Sequence, residues 1–290
     1  MADGNSMIDL GELSKPATVL IEKIADAMGG IFPPFQIKRI ARAEAEAEII
    51  RAQGQIEVSD LQRRAMRRFL AEESKKQGNI ETITSKALPQ LEDKARPSDV
   101  DDDWIANFFD KCRIVSDDEM QQIWAKVLAG EANSPGTYSK RTVNFLGSLD
   151  KQDAILFTKL CGFGWQIGDV AILIYDTNDA IYTAAGINFA DLSHLDDIGL
   201  ISFEYLTGFK RKGFSKRASF FYYGEPVNIE FQKDVGNELD TGKVLLTKIG
   251  RQLAPISGSE PVAGFMDYIL RRWNQKEGLW LSSPYPRKHV

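Results

Sequence analysis

Apolar and small residues recur at helical spacing through the N-terminal third of the chain. From Phe35 to about Gln77 the mean step between them is close to 3.6 residues, the period of one face of an α-helix. Residues 43–48 alternate Ala with Glu, as a strand might, but both residue types favour helices. The pattern therefore predicts one long amphipathic helix, roughly 60 Å in length at the usual rise per residue.

A helix of that length needs a partner to cover its apolar stripe, because little else stabilises an isolated helix in water. Small residues in its first half would let a second helix approach closely. We therefore expect a homo-oligomer in which the partner is a second copy of the chain. The candidate oligomer interface consists of Ile40, Ala43, Ala47, Ile50, Gly54, Val58 and Leu61.

Shorter helices are predicted on both sides of the long one. Residues 16–28 form the first, and Asn79 offers an N-cap for another at residues 80–91. Residues 94–99 then combine charged residues with a proline, the composition of a linker. An N-terminal helical arm, residues 1–96, is expected to end there.

Residues 97–165 predict a small helical domain. Acidic residues 101–103 precede one helix, and residues 116–119 form a capping box for the next. Such acidic clusters can also hold Mg²⁺, but helix N-termini favour negative charge, so capping is the preferred interpretation. Aromatic and aliphatic residues at helical spacing are interpreted as core rather than as ligand contacts.

The hydrophobic period changes in the last part of the chain, residues 166–290, which are expected to form an α+β domain. Two strands are predicted at residues 219–223 and 227–232. Residues 195–201 (Leu-x-x-Ile-Gly-Leu-Ile) and 246–253 (Leu-Thr-Lys-Ile-Gly-Arg-Gln-Leu) flank this hairpin and resemble parts of a winged helix. The predicted fold class is mainly α, with a C-terminal α+β winged-helix-like domain and a long N-terminal amphipathic helix.

Four segments carry a resemblance to a known family: residues 35–46, 102–104, 120–131 and 135–142. They resemble an uncharacterised bacterial family catalogued as domain of unknown function 2806. The resemblance implies no agreed activity, and it supplies no catalytic residues. The family is similar to proteins sometimes linked with phage defence and abortive infection, which is an association rather than a mechanism.

Composition is that of a globular protein, with 43% hydrophobic and 27% charged residues. The net charge of −5 is unevenly distributed: residues 101–200 carry 7 Lys and Arg against 16 Asp and Glu, whereas residues 201–290 carry 14 against 9. That distribution argues against a chain-wide nucleic-acid binder.

Cys112 and Cys161 are too few for a disulfide framework, and we interpret them as buried thiols. Without an apolar leader or a bilayer-spanning run, the expected location is cytoplasmic, with no transmembrane segment.

No catalytic, metal or cofactor site is recognisable. His194 has no cysteine or acid at metal-ligand spacing, and the usual nucleophile and phosphate-loop motifs are missing. No cofactor is therefore expected, and the chain is interpreted as non-enzymatic, although an enzyme with dispersed residues stays possible in principle.

Two basic clusters are the candidate contacts for nucleic acid or for an acidic partner. The first lies where the wing of a winged helix can touch phosphates. However, the helix that would enter the major groove carries Asp191, Asp196 and Asp197, which phosphates would repel. The second cluster lies on the long helix and is also explained as a solvated face. The clusters are Lys210, Arg211, Lys212, Lys216 and Arg217, and Arg63, Arg64, Arg67 and Arg68.

The functional hypothesis is a non-enzymatic bacterial scaffold or sensor that forms homo-oligomers and acts by protein–protein interaction in anti-phage defence. The alternative is a DNA-associated regulator that contacts phosphates through the basic loop, residues 210–217. The two hypotheses differ in whether nucleic acid accompanies the protein and whether salt removes it.

Overall fold

The computed structural model of the protein describes residues 13–27, 60–276 and 278–282. The chain divides into two compact units, residues 1–147 and 148–290. In its described part the first unit is helical, and the second combines helices with antiparallel sheets, so the fold is mixed α+β. Residue 97 lies inside the first unit, and the predicted division into three segments stays a prediction.

Five α-helices and two short 3₁₀ turns make up the described part of the first unit. The buried faces of two helices meet in an aromatic core, where the Phe108 ring lies 5.2 Å from the Trp104 ring and 5.1 Å from the Trp124 ring, measured between ring centroids. These aromatics were predicted to be core. The helices are α1 (Lys15–Ala27), α2 (Asp60–Ala87), α3 (Asp102–Cys112), α4 (Asp118–Asn133) and α5 (Lys140–Leu146), with 3₁₀ turns at Leu88–Gln90 and Pro97–Asp99.

Acidic side chains begin α3 and α4. Asp101 accepts a hydrogen bond from the backbone N–H of Trp104 at 2.8 Å, and Asp117 accepts one from Met120 at 3.1 Å. Each satisfies an N–H that has no partner within its helix. Both acidic clusters therefore contribute helix caps, although the cap of α4 is Asp117 rather than the predicted Ser116.

The predicted helix start at Asn79 is wrong, because α2 runs without interruption from Asp60 to Ala87. Asn79 lies in its interior, and its amide donates to the backbone oxygen of Arg113 at 2.8 Å. Ile80 and Ile83 are buried on the same helix. Packing and a long-range hydrogen bond therefore outweigh the local preference of Asn for a helix start.

Five helices and nine strands make up the described part of the second unit. The helices are α6 (Lys151–Cys161), α7 (Ala180–Thr183), α8 (Phe189–Asp197), α9 (Lys248–Leu253) and α10 (Phe265–Asn274), with a 3₁₀ turn at Ala254–Ile256. The strands are β1 (Gly164–Ile167), β2 (Asp169–Ile172), β3 (Ile201–Phe203), β4 (Phe209–Phe214), β5 (Arg217–Tyr222), β6 (Glu225–Phe231), β7 (Asn237–Gly242), β8 (Val244–Leu246) and β9 (Leu279–Ser282).

The strands form one five-stranded sheet and two antiparallel pairs. The sheet has the order β2-β1-β5-β6-β9, and the pairs are β3–β8 and β4–β7. The predicted hairpin is present as β5–β6, closed by Tyr223 and Gly224 at φ of 47° and 85°. Two positive φ values at a two-residue connection match the twist of the flanking strands. That hairpin belongs to the five-stranded sheet, whereas β3 pairs with β8 far along the chain.

An aromatic cluster with hydrogen-bonded polar groups fills the core of the second unit. Trp165 stacks on Tyr222 at 5.2 Å and meets Trp273 edge-on at 5.0 Å. The indole N–H of Trp273 donates to the Tyr175 hydroxyl at 3.1 Å, which donates to the backbone oxygen of Asp240 at 2.9 Å. These bonds satisfy polar groups that burial would otherwise penalise.

Alkaline pH is expected to lower the stability of the protein. Burial raises the pKa of Cys161 and of Tyr222 to about 12, from ordinary values of 9.0 and 10.0. The fold favours the neutral forms of these two side chains. Their contribution to the free energy of unfolding is therefore fully present at a pH below their ordinary pKa values, and it is lost as the pH rises towards about 12. The thermal midpoint of unfolding, followed by circular dichroism, should therefore decrease as the pH rises through this range.

Returning the sample to about pH 8 should restore the midpoint, which separates titration from chemical damage. A midpoint that does not change up to about pH 11 would contradict the burial of these groups.

Candidate interaction surfaces

The first basic cluster lies on and beside the β4–β7 ribbon, where acidic side chains face it. Lys210 and Lys212 of β4 both approach Glu238 of β7, at 3.1 and 4.0 Å. The hydrogen bond from Lys210 lowers the pKa of the Glu238 carboxyl, and the charges of both lysines act in the same direction. Two of the five predicted phosphate contacts therefore already have a carboxylate partner.

Two more residues of the cluster are similarly engaged. Arg211 donates to the backbone oxygen of Asp169 at 3.3 Å, and Lys216 lies 3.4 Å from Asp234. Across the β5–β6 pair, Arg217 is in register with Glu230, and it forms no ion pair with another described residue. The positive charge is thus largely compensated, although exposed pairs of this kind are weak. The role of the cluster stays a prediction.

The second basic cluster is exposed on the N-terminal half of α2. Arg63 lies 2.5 Å from Asp60, and Arg68 lies 3.4 Å from Glu72, the pair expected from their spacing. Arg64 and Arg67 are exposed on the same helix. Its function as a partner contact also stays a prediction.

The same half of α2 exposes large apolar side chains. Leu61, Met66 and Phe69 are 68%, 55% and 57% exposed, whereas Ile80 and Ile83 further along the helix are buried. Exposed apolar surface on one helix is a common mark of an interaction site. Of the predicted oligomer interface, Leu61 is described. The remaining residues, Ile40, Ala43, Ala47, Ile50, Gly54 and Val58, lie outside the described residues.

Three of the four segments that carry the family resemblance line a cavity of about 390 Å³ in the first unit. The fourth segment, residues 35–46, lies outside the described residues. Glu131, 4% exposed, accepts backbone hydrogen bonds from Gly136 at 2.6 Å and from Tyr138 at 2.7 Å. The Trp104 indole donates to the Tyr138 carbonyl at 2.7 Å. The buried carboxylate therefore holds the turn after α4 in place, which is a structural role.

A glycine makes this arrangement possible. A Cβ added to Gly130 would lie 2.7 Å from the Tyr138 ring, closer than van der Waals contact allows. The Tyr138 side chain is therefore seated against bare backbone of α4.

His194 has an acidic partner that the sequence analysis missed. Its Nε2 lies 2.7 Å from a carboxylate oxygen of Asp153, which joins α8 to α6 across 41 positions of the chain. No local spacing reveals such a contact. Among the described residues no group of three or more His, Cys, Asp or Glu could hold a metal ion.

An exposed aromatic patch on the second unit was also missed. The ring of Phe189, at the start of α8, lies 5.3 Å from Phe203 and 5.1 Å from Tyr205. The ammonium of Lys243 covers the Tyr205 ring at 4.4 Å, and the neighbouring Leu206 is 88% exposed. Short strands and turns bring these residues together, so no single periodic segment contains them.

Replacing Glu131 by Gln should destabilise the first unit. The amide supplies one acceptor and one donor, so one of the two backbone N–H groups would face a donor instead of a carboxylate oxygen. We expect the free energy of unfolding in urea to fall by about 2 kcal/mol. Lys140→Gln, on an exposed side chain at the same cavity, is the control and should change it by less than about 0.5 kcal/mol. Equal losses for both variants would contradict the role of Glu131.

No helix in the described ranges is both long and apolar enough to span a membrane. No curated protein and no solved structure matches the chain. One family model does match, over residues 63–270, which include α2 from its first turn and most of both units. That match covers more than two thirds of the sequence, so the chain belongs to the family described as Protein of unknown function (DUF2806).

Proposed function

We propose that the protein is a non-enzymatic, homo-oligomeric scaffold or sensor that acts through protein–protein contact. The observation that carries the proposal is the contrast along α2, whose apolar face is buried at Ile80 and Ile83 but exposed at Leu61, Met66 and Phe69. Exposed apolar area is costly in water, so a partner that covers it gains free energy. The predicted apolar stripe continues towards Ile40 in the sequence.

The second unit supports a partner-binding role in the same scaffold. We propose that α8, the β3–β8 pair and α9 act as a winged-helix-like module specialised for protein contact. The helix α8 carries Asp191, Asp196 and Asp197, which disfavour phosphates. The adjoining patch of Phe189, Phe203, Tyr205 and Leu206 offers apolar and aromatic contact area. The setting proposed from the resemblance is anti-phage defence in the bacterial cytoplasm.

The first test is the mass of the purified protein by light scattering, at about 50 mM and about 300 mM salt, together with the ratio of absorbance at 260 and 280 nm. We expect a defined oligomer free of nucleic acid at both salt concentrations, because apolar contact is little weakened by salt. A monomer at all concentrations would overturn the proposal.

The DNA-associated regulator is the second candidate, favoured by the exposure of the lysines on β4, a strand of the two-stranded β4–β7 pair. Against it stand Glu238, Asp169 and Asp234, which phosphates would have to displace. It requires nucleic acid to accompany the protein at low salt and to dissociate at high salt.

Alanine substitution tests this candidate directly. If the basic loop binds phosphates, the combined variant should abolish binding of a labelled DNA duplex in a mobility-shift assay, because its favourable charges are removed. Binding that persists in this variant would exclude the loop as the contact. The positions are Lys210, Arg211, Lys212, Lys216 and Arg217.

A further inference from the structure

The aromatic patch around Phe189 lies in a stretch of chain that carries acidic residues and no Lys or Arg. Residues 180–208 contain all four residues of the patch and four Asp or Glu. Within the described part of the chain, none of these four carboxylates forms an ion pair. The lysines on β4, by contrast, have a carboxylate against them. The acidic residues are Asp191, Asp196, Asp197 and Glu204.

Local structure explains one of the four acids. Asp191 completes the capping box at the start of α8, where its carboxylate accepts from the backbone N–H of Asn188 at 3.0 Å. Asp196 and Asp197 instead end the same helix, where the helix dipole disfavours negative charge. At about 100° per residue, Asp196 lies on the same side of α8 as Phe189, about 10 Å further along its axis. Among the described residues, neither a cap nor an ion pair accounts for the two acids that end α8.

The patch already holds one cation. The ammonium of Lys243, which lies between β7 and β8, is 4.4 Å from the centre of the Tyr205 ring. The negative face of an aromatic ring attracts a positive charge in this position. The rest of the patch stays open, since Phe189 is 48% exposed and Leu206 is 88% exposed. The ammonium on one ring shows the sign of charge that this surface accepts.

We propose that the aromatic patch binds a basic amphipathic segment of a partner protein. Apolar side chains of the segment cover Phe189 and Leu206. Its Lys or Arg side chains lie against Asp196, Asp197 and Glu204. The inference rests on the proposed protein-contact function and adds the chemistry of the partner.

Charge decides between the occupants that could cover the patch. Any apolar partner gains free energy by covering exposed aromatic rings, so the rings alone select none. Glu204, exposed between Phe203 and Tyr205 in the chain, and the two acids that end α8 repel the phosphates of nucleic acid and of anionic lipid. The same carboxylates attract Lys and Arg side chains, which makes a basic protein segment the complementary partner.

A synthetic peptide tests the chemistry of the partner. The probe is a fluorescein-labelled amphipathic peptide of Leu and Lys, about five helical turns long. A peptide of Leu and Glu with the same pattern has the same apolar residues and the opposite charge. Fluorescence anisotropy with the full chain should show that the Leu–Lys peptide binds at least about tenfold more tightly. The difference should shrink as the salt concentration rises, because exposed charges are screened.

Charge variants locate the binding on the patch. Asp197→Asn combined with Glu204→Gln should weaken binding of the Leu–Lys peptide about fivefold, because two favourable charges are removed. The matched control is Glu225→Gln combined with Glu260→Gln, which changes two exposed acids of the same unit outside the patch. This control should change the dissociation constant by less than about twofold.

An apolar variant tests the other half of the contact. Leu206→Ser should weaken binding of the Leu–Lys peptide about tenfold, because an apolar contact is lost. Since Leu206 is 88% exposed, the thermal midpoint of unfolding should stay unchanged. The charge variant should not lower it either, because a carboxylate at the end of a helix does not stabilise that helix. Weaker binding would then report the contact rather than unfolding.

The outcomes separate this inference from the proposed function. Equal binding of the two peptides, or equal effects of the charge variant and its control, would overturn the inference. A defined oligomer in light scattering would in that case leave the proposed self-association intact. If Leu206→Ser instead abolishes self-association, a second copy of the chain covers the patch and the assigned partner is wrong. Selective binding of the Leu–Lys peptide that both patch variants weaken supports the inference, whatever the oligomeric state.

Discussion

The packing of α2 on the helices around it is the interaction on which the rest of the first unit depends. Ile80, Ile83 and Ala87 are buried and set the rotation of the helix about its axis. Because an α-helix is rigid over two turns or more, that rotation also decides which residues of the N-terminal half face the same way. The burial at one end therefore fixes which side of the exposed end is continuous with the packed face.

The first basic cluster shows that the charge of a folded surface differs from the charge counted along one segment of the sequence. Along the sequence, residues 210–217 concentrate positive charge without an acidic neighbour. In the fold, β7 and the start of β2 bring Glu238 and Asp169 against them. The resulting surface has mixed charge, which weakens long-range attraction for phosphates but allows specific short-range contacts.

Local signals explain the parts of the structure that were predictable. The aromatic residues of α3 and α4, the acidic caps, the β5–β6 hairpin and the burial of both cysteines follow from periodicity, capping chemistry and residue type. The features that were predicted wrongly or missed depend instead on contacts between residues far apart in the sequence. By its sequence context Asn79 resembles a helix start, but in the fold its side chain donates to the backbone oxygen of Arg113. The sequence indicates no partner for His194, whereas the fold brings Asp153 beside it.

The amino-acid sequence by itself determined the helical first part, the presence of strands in the last part and the family, because these depend on residues near one another in the chain. Only the tertiary structure decided the pairing of β3 with β8, the seating of Tyr138 against Gly130 and the aromatic patch around Phe189. Those features join residues distant in sequence, whose meeting depends on how whole elements pack, and packing is a property of the assembled core.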